Sequence, residues 1–118
     1  MKARDTDPSI LEFEEDVSAR FKLAVEALGV PKGEIAEAIG VSPQRLSNWT
    51  GNHNRPDWFH IARFCRRFGV SADWILLGDV GSLKKGLADS LEPAWEERLA
   101  ARRAGASPAP RTPSREKA

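Results

Sequence analysis

Apolar residues recur at intervals of three and four along most of the chain, which is the spacing of one face of an α-helix. The first such stripe runs from Ile10 to Leu28. Ser9 and Glu12 have the spacing of a capping box, in which a hydroxyl and a carboxylate pair with otherwise unbonded amides. We therefore predict a first helix that begins at Ser9 and stops at the glycine after Leu28. A break near Asp16 would divide it in two.

Four shorter helices follow, and each is bounded by residues that favour a helix end. Pro31 and Pro43 suit a first helical turn, where their missing N–H would have no partner. Ser42 and Ser71 are preferred N-cap residues, and a glycine follows the second, fourth and fifth helices of the chain. The predicted helices span residues 31–39, 43–50, 57–68 and 72–77.

A leucine or tryptophan recurs every four residues from Leu83 to Leu99, which predicts one or two further helices over 83–104, broken near Pro93. In the fourth helix the predicted inner stripe is Trp58, Ile61, Ala62, Cys65 and Phe68. The predicted core consists of Phe21, Leu28, Ile35, Ile39, Leu46, Trp49, Ile61, Cys65, Trp74 and Leu77.

Helical spacing dominates, and no stretch alternates apolar and polar residues as a half-buried strand does. The sequence therefore predicts an all-α fold, a compact five-helix domain over residues 9–80. Residues 81–104 would form a helical dimerisation or docking segment. Residues 1–8 and the proline-rich residues 105–118 contain too few large apolar side chains to offset the entropy of ordering, so we expect both to be disordered.

The net charge of +1 conceals an uneven distribution. Residues 1–16 carry two basic and six acidic side chains, whereas residues 38–56 carry no acid. That second stretch contains Arg45, His53 and Arg55, and a surface that faces phosphate groups must be free of acids.

The chain offers little for catalysis or for metal binding. Cys65 is the single cysteine, so it cannot form an internal disulfide, and a reducing cytoplasm is the expected compartment. His60 and Cys65 are five residues apart and would point to different faces of a helix, which makes a poor metal pair. We expect no enzyme, no cofactor and no metal site, and no apolar run is long enough to span a membrane.

Residues 35–49 carry the clearest functional pattern, two short helices joined by Gly40-Val41-Ser42. Gly40 permits the positive φ of a sharp turn, and the intervening Val41 would fill the angle between the helices. This is a helix-turn-helix pattern, in which the second helix can enter the major groove of DNA.

Residues 20–79 resemble the lambda-repressor/Cro type of helix-turn-helix domain, also called the xenobiotic-response-element family. The resemblance rests on Leu28-Gly29, Ile35-Ala36, Gly40-Val41-Ser42, Leu46-Ser47, Trp49, Arg55-Pro56, Ile61-Ala62 and, most specifically, FGVSADWILLG at 68–78. It implies a transcriptional regulator of prokaryotic or phage type, most simply a repressor that binds double-stranded operator DNA as a dimer. It also implies a cytoplasmic location with the nucleoid.

The sequence departs from the family pattern at several positions. Lys32 stands where a glutamine often contacts phosphate. Val25 and Thr50 replace an internal Arg–Glu pair, so that both charges are missing together. Pro43 replaces a residue that often contacts a base, and Asn52 stands at the usual loop glycine, where asparagine tolerates the left-handed conformation.

Gln44, Arg45 and Asn48 are the candidate base contacts, because Gln and Asn pair with adenine and Arg with guanine. They could instead be ordinary solvated residues. The candidate contacts to the DNA backbone are Lys32, Ser42, Pro43, Ser47, Asn52, His53, Asn54 and Arg55.

A second hypothesis is a protein-interaction module, antitoxin-like or an adaptor, that binds its partner through 81–104. For a dimer, the candidate interface residues are Leu76, Leu83, Leu87, Leu91, Trp95 and Leu99. The competing arrangement is that the 83–99 stripe folds back on its own domain.

Overall fold

The computed structural model describes residues 7–51 and 54–105, and within them it is helical, with no strand. The helices are α1 (Pro8–Leu28), α2 (Lys32–Ile39), α3 (Pro43–Thr50), α4 (Trp58–Phe68), α5 (Ala72–Leu77) and α6 (Lys85–Arg103), with a 3-10 turn at Val80–Ser82. The all-α prediction is confirmed. Most of the two segments that we expected to be disordered lies outside the described residues.

The helix ends follow local chemistry. The side chains of Ser42, Asp57 and Ser71 accept backbone hydrogen bonds at the starts of α3, α4 and α5, as expected of N-caps. The predicted start of α1 at Ser9 was wrong. Asp7 is the N-cap, and its Oδ1 accepts the Ser9 amide at 2.9 Å, with a proline in the first helical position. Helix α1 continues to Leu28 without a break.

The core is organised around Phe21 of α1, which is fully buried. Its ring centroid lies 5.0 Å from that of Phe64 in α4 and 6.2 Å from that of Trp49 in α3, both in edge-to-face geometry. Aromatic pairs favour this arrangement because a positive ring edge meets a negative face. The long first helix thus supports both α3 and α4.

In α5 and α4, the buried face of the helix differs from the predicted one. In α5 the buried residues are Trp74 and Ile75, whereas Leu77 is 74% exposed. Ile75 lies 100° to one side of Trp74 around the helix and Leu77 lies 60° to the other side, so a helix that turns Ile75 inward turns Leu77, 160° from Ile75, outward. In α4 the buried face is turned toward Phe64, which leaves Trp58 exposed at 61%.

Smaller deviations occur at the edges of the core. Ala62 is exposed, and Leu28 and Cys65 are only partly buried.

Helix α6 packs on α1 and forms part of the same domain. Leu91 is 1% and Trp95 8% exposed, and the other stripe residues, Leu83, Leu87 and Leu99, are partly buried against the core. The stripe therefore folds back on its own domain, which is the competing arrangement given above, and its two most buried residues, Leu91 and Trp95, are not exposed to a partner. The predicted break at Pro93 does not occur either. The helix continues through the proline because the buried side chains on either side hold both halves against α1.

Two arginines fasten α6 and α5 to α1. Arg20 is 6% exposed, and its Nε and Nη2 donate to the backbone oxygens of Ile75 and Leu76 at 2.7 and 3.0 Å, at the end of α5. Its guanidinium carbon lies 4.9 Å from the centroid of the Trp95 ring. Burial lowers the pKa of Arg20, but a guanidinium stays charged. A cation at a helix C-terminus is favourable because the carbonyl ends carry partial negative charge.

Arg102, near the end of α6, makes the second connection. It donates to Glu12 at 3.2 Å and to Asp16, both on α1. Across residues 7–51 and 54–105, no helix is both long enough and apolar enough to cross a membrane.

Candidate nucleic-acid interface

The turn between α2 and α3 is closed by Gly40, whose φ is +85°. Its amide donates to the backbone oxygens of Ala36 and Glu37, which ends α2. A Cβ at this position would lie 2.6 Å from Nη1 of Arg63, and the same Nη1 donates to the backbone oxygen of Ile39 at 3.3 Å. Arg63 of α4 therefore holds the turn from outside. Nothing in the sequence indicates this role, because Arg63 is distant along the chain from the turn.

Helix α3 begins at this turn and is oriented by its two buried residues. Ser42 Oγ accepts the Arg45 amide at 3.1 Å, and Pro43 occupies the first helical position. Leu46 and Trp49 are buried, so the opposite face of the helix meets solvent. The sequence prediction of this helix and of its inward residues is confirmed.

The outward face of α3 carries the candidate base contacts. Gln44, Arg45 and Ser47 are exposed, and Asn48 is partly exposed. Gln44 Nε2 donates to Asn48 Oδ1 at 3.1 Å, so the two amide side chains already lie side by side, one turn apart. The free amide groups of such a pair are positioned toward the same region of solvent.

Arg45 is held by groups outside its own turn. Its Nη2 lies 3.4 Å from Asp57 Oδ2, and its guanidinium carbon lies 5.2 Å from the centroid of the Trp49 ring. Asp57 Oδ1 also accepts the amide of His60 at 2.9 Å, and the His60 ring Nδ1 lies 2.8 Å away. From the sequence, Asp57 was predicted only as the first residue of the fourth helix. Its position directly after the acid-free stretch was the available signal for an electrostatic role.

These contacts determine the charge of Asp57. Partial burial would raise the pKa of its carboxyl group, but the hydrogen bonds from His60 and the charges of His60 and Arg45 together lower it. The carboxylate therefore keeps its negative charge beside Arg45 in mild acid.

Lys32 lies at the first position of α2 and reaches the end of α3. Its Nζ donates to Thr50 Oγ1 at 3.4 Å, and that buried hydroxyl donates in turn to the backbone oxygen of Leu46 at 3.2 Å. Val25 is 2% exposed. Val25 and Thr50, which stand where the family often has an internal Arg–Glu pair, are thus a buried apolar residue and a buried hydroxyl with hydrogen-bond partners.

The loop after α3 contributes Asn54 and Arg55, both exposed. The Asn54 amide donates to the backbone oxygen of Asn48 at 3.3 Å, which places the loop against the end of α3. Arg55 Nε lies 3.9 Å from Glu14 Oε1 on α1, a partner that the sequence did not indicate. Asn52 and His53, two further candidates, lie outside the described residues.

The remaining chemically active side chains have structural surroundings. Burial raises the pKa of the Cys65 thiol to about 11, which leaves almost no nucleophilic thiolate at neutral pH. Among residues 7–51 and 54–105, no group of three or more His, Cys, Asp and Glu side chains could hold a metal ion.

Comparison with known proteins agrees with this geometry. A helix-turn-helix family model matches residues 21–75. The Repressor protein CI of Enterobacteria phage phi80 is 32% identical over 80 residues, 68% of this chain and 33% of that protein. The chain thus spans about a third of the length of this curated relative. No solved structure matches the chain. Both similarities are thus to a helix-turn-helix family and to a repressor.

Proposed function

We propose that the chain, which matches a helix-turn-helix family model over residues 21–75, is a sequence-specific repressor of the lambda repressor/Cro type that reads the major groove with α3. It would act on double-stranded operator DNA of a prokaryote or a phage, in the cytoplasm with the nucleoid. The observation that carries the proposal is the outward face of α3. There Gln44 and Asn48 lie hydrogen-bonded side by side, with Arg45 between them, in a stretch without acids.

Each of these side chains has a base edge that it can recognise. An amide such as that of Gln44 or Asn48 pairs bidentately with adenine N6 and N7, and Arg45 with guanine O6 and N7. The Gln44–Asn48 hydrogen bond supports a joint role, because it limits the rotamers that both side chains lose on binding. Arg45 would exchange Asp57 for DNA, so its contribution would be smaller than that of an unpaired arginine.

The backbone of the duplex would be held from both ends of this face. Ser42, Pro43 and Ser47 lie along α3, Lys32 lies at the start of α2, and Asn54 and Arg55 follow in the loop. Helix N-termini present backbone amides and a partial positive charge, which suit phosphate oxygens. We include Asn52 and His53 of the same loop in this set from the sequence.

Selection of bound sequences from random DNA duplexes is the first test. We expect an enriched site, and Asn48→Ala or Gln44→Ala should each lose discrimination at a defined base pair by about 1–3 kcal/mol. Ser90→Ala, at an exposed position on α6, is the matched control and should bind as the parent does. Equal weakening on every sequence would instead make these two residues phosphate contacts, and no enriched site would overturn sequence-specific binding.

Salt dependence tests the proposed phosphate contacts. Lys32→Gln and Arg55→Gln should weaken specific and non-specific binding alike, and each should reduce the slope of log K against log salt by about one unit. Lys85→Gln, on α6, is the control, because Lys85 pairs with Asp89 within its own helix. An unchanged slope would remove the substituted residue from the interface.

A dimer on DNA completes the proposal. One reading helix covers too few base pairs to select a single genomic site, and a symmetric pair would place half-sites about one helical turn apart. Because the 83–99 stripe is packed internally, we place the contact on α5, where Leu77 is 74% exposed. Leu77→Ser should abolish cooperative binding to a palindrome and leave half-site binding intact. Leu11→Ser, at another exposed leucine, should change neither, and equal cooperativity in both variants would exclude α5 as the contact.

A further inference from the structure

Asp57 places a carboxylate at the edge of the proposed DNA-binding face. Residues 38–56 contain no acidic side chain, and Asp57 follows directly after them. Its side chain is 43% exposed, and its Oδ2 lies 3.4 Å from Nη2 of Arg45, the candidate guanine contact. A negative charge beside a cation that meets DNA opposes the approach of phosphate groups. This carboxylate therefore needs an explanation other than affinity for DNA.

Capping of α4 does not explain the carboxylate either. Serine and asparagine are N-caps as good as aspartate, and α3 and α5 begin with the neutral caps Ser42 and Ser71. A neutral cap at position 57 would accept the same backbone hydrogen bond without adding a negative charge. What aspartate alone adds at this position is an ion pair with Arg45.

The first turn of α4 fixes the carboxylate in place. Asp57 Oδ1 accepts the His60 amide at 2.9 Å, and the His60 ring Nδ1 lies 2.8 Å from Oδ1 and 2.9 Å from Oδ2. The lowered pKa of Asp57 keeps its side chain ionised at neutral pH. Because these hydrogen bonds do not involve Arg45, the carboxylate stays where it is when Arg45 moves.

Arg45 has two partners within the domain. Its side chain is 54% exposed, and its guanidinium contacts both the Asp57 carboxylate and the ring of Trp49, whose centroid is 5.2 Å from the guanidinium carbon. An exposed arginine without such partners reaches phosphates on any duplex, because the DNA backbone offers them irrespective of sequence. The charge of Arg45 is already balanced, so its move to a phosphate exchanges one ion pair for another.

We propose that Asp57 determines specificity by holding Arg45, so that this arginine adds little to the binding of arbitrary DNA and is released chiefly to a guanine edge. The proposal rests on the proposed function. A phosphate contact gains one ion pair and loses another, whereas guanine O6 and N7 together accept two hydrogen bonds from the guanidinium, and only at one base pair. Specificity is a difference between two affinities, so weaker binding to the wrong sequences raises it.

The salt dependence of DNA binding by the full chain tests the proposal. Asp57→Asn and Asp57→Ser both keep an N-cap and remove the charge. On a random-sequence duplex, each should steepen the slope of log K against log salt by about one unit, because the Arg45 charge becomes available to phosphate. On the selected site the slope should not change. At about 0.1 M salt, one unit of slope lowers the ratio of specific to non-specific affinity about tenfold.

Two further variants show whether the effect passes through Arg45. In an Arg45→Gln background, Asp57→Asn should leave the slope on the random duplex unchanged, because no held cation remains to be released. Asp79→Asn is the matched control. Asp79 is an exposed N-cap of the 3-10 turn, so its substitution removes the same charge from a cap elsewhere in the domain and should leave both slopes as in the parent.

Three results would overturn the proposal while leaving the proposed function intact. One is an unchanged slope on the random duplex in both Asp57 variants, and a second is an equal rise on the random duplex and the selected site. The third is a rise that persists in the Arg45→Gln background, which would mean that the carboxylate repels DNA directly. A parent protein that binds neither duplex would overturn the proposed function, and this proposal with it. Circular dichroism at 222 nm checks that each variant is folded.

Discussion

Leu91 and Leu77 provide a matched test of how α6 and α5 pack. Both are leucines within helices, but Leu91 is 1% exposed against α1 and Leu77 is 74% exposed at the end of α5. Substitution by alanine changes helix propensity equally little at both positions. Any difference between Leu91→Ala and Leu77→Ala therefore reports burial. Helical periodicity alone predicts the reverse order, with Leu77 in the core.

The expected magnitude follows from the two exposures. Truncating Leu91 removes about three buried carbon atoms, a transfer cost of about 2.4 kcal/mol at 0.8 kcal/mol for each. The cavity that remains adds to this cost, so we expect a loss of about 3–4 kcal/mol in the free energy of unfolding. For Leu77→Ala we expect a change within about 0.5 kcal/mol, as at other exposed positions. In a domain of this size a loss of 3 kcal/mol is a large part of the total stability.

Urea unfolding followed by circular dichroism at 222 nm measures both values, with the slope m checked for each variant. The experiment should be run at two protein concentrations, because a dimer that uses Leu77 would make its apparent stability depend on concentration. If Leu91→Ala unfolds at the midpoint of the parent, α6 is not docked on α1. If Leu77→Ala costs as much as Leu91→Ala at the lower concentration, the orientation of α5 is wrong.

Three further predictions concern single sites. Gly33→Ala in α2 should stabilise the domain by about 0.5–1 kcal/mol, because a Cβ there meets open space, whereas Gly40→Ala should destabilise it, because φ is +85° and the Cβ would lie 2.6 Å from Arg63. Thermal melts compare the two variants, and equal shifts in melting temperature would contradict the turn geometry. Asp57 has a lowered pKa in the folded state, so its stabilising effect is present above about pH 4 and is lost as the pH falls through that lowered pKa. Asp57→Asn keeps the N-cap and should flatten the acid side of the curve of unfolding free energy against pH. An unchanged curve would refute the stabilising role of the Asp57 carboxylate. Cys65 has a pKa raised to about 11, so at pH 8 it should react with iodoacetamide at least about 100-fold more slowly in the folded than in the urea-unfolded chain. Similar reaction rates in the two states would show that the thiol is accessible.

Apart from the start of α1, the helix ends could be predicted from the sequence because they depend on neighbouring residues. Ser42 and Ser71 cap the helices that they precede, and Gly40 adopts the positive φ that its turn requires. The same holds for the outward face of α3, since Leu46 and Trp49 fix its inner side. In each case the interaction spans no more than a few residues of sequence.

The facing of α5 and the partners of the arginines could not be predicted in this way. A six-residue helix has too few positions for a periodic stripe to define its buried face. The orientation of α5 depends instead on Arg20, which donates to the backbone oxygen of Ile75 from 55 residues earlier in the chain. The position of α6 depends equally on long-range contacts. The sequence predicted Arg45 and Arg55 as DNA contacts, but it did not indicate that Asp57 lies beside Arg45 or that Glu14 lies beside Arg55.

The contact between α1 and α6 has a consequence for the order in which the domain can fold. Arg102 meets Glu12 and Asp16 across 90 and 86 residues of sequence, whereas the turn between α2 and α3 closes within a few residues. Contacts of high sequence separation form only after a long loop has closed. During synthesis at about 5–20 residues per second, roughly 75 residues separate the end of α1 from the end of α6, so for about 4–15 s the apolar flank of α1 has no cover. Apolar surface that is exposed in this way raises the tendency of the nascent chain to aggregate.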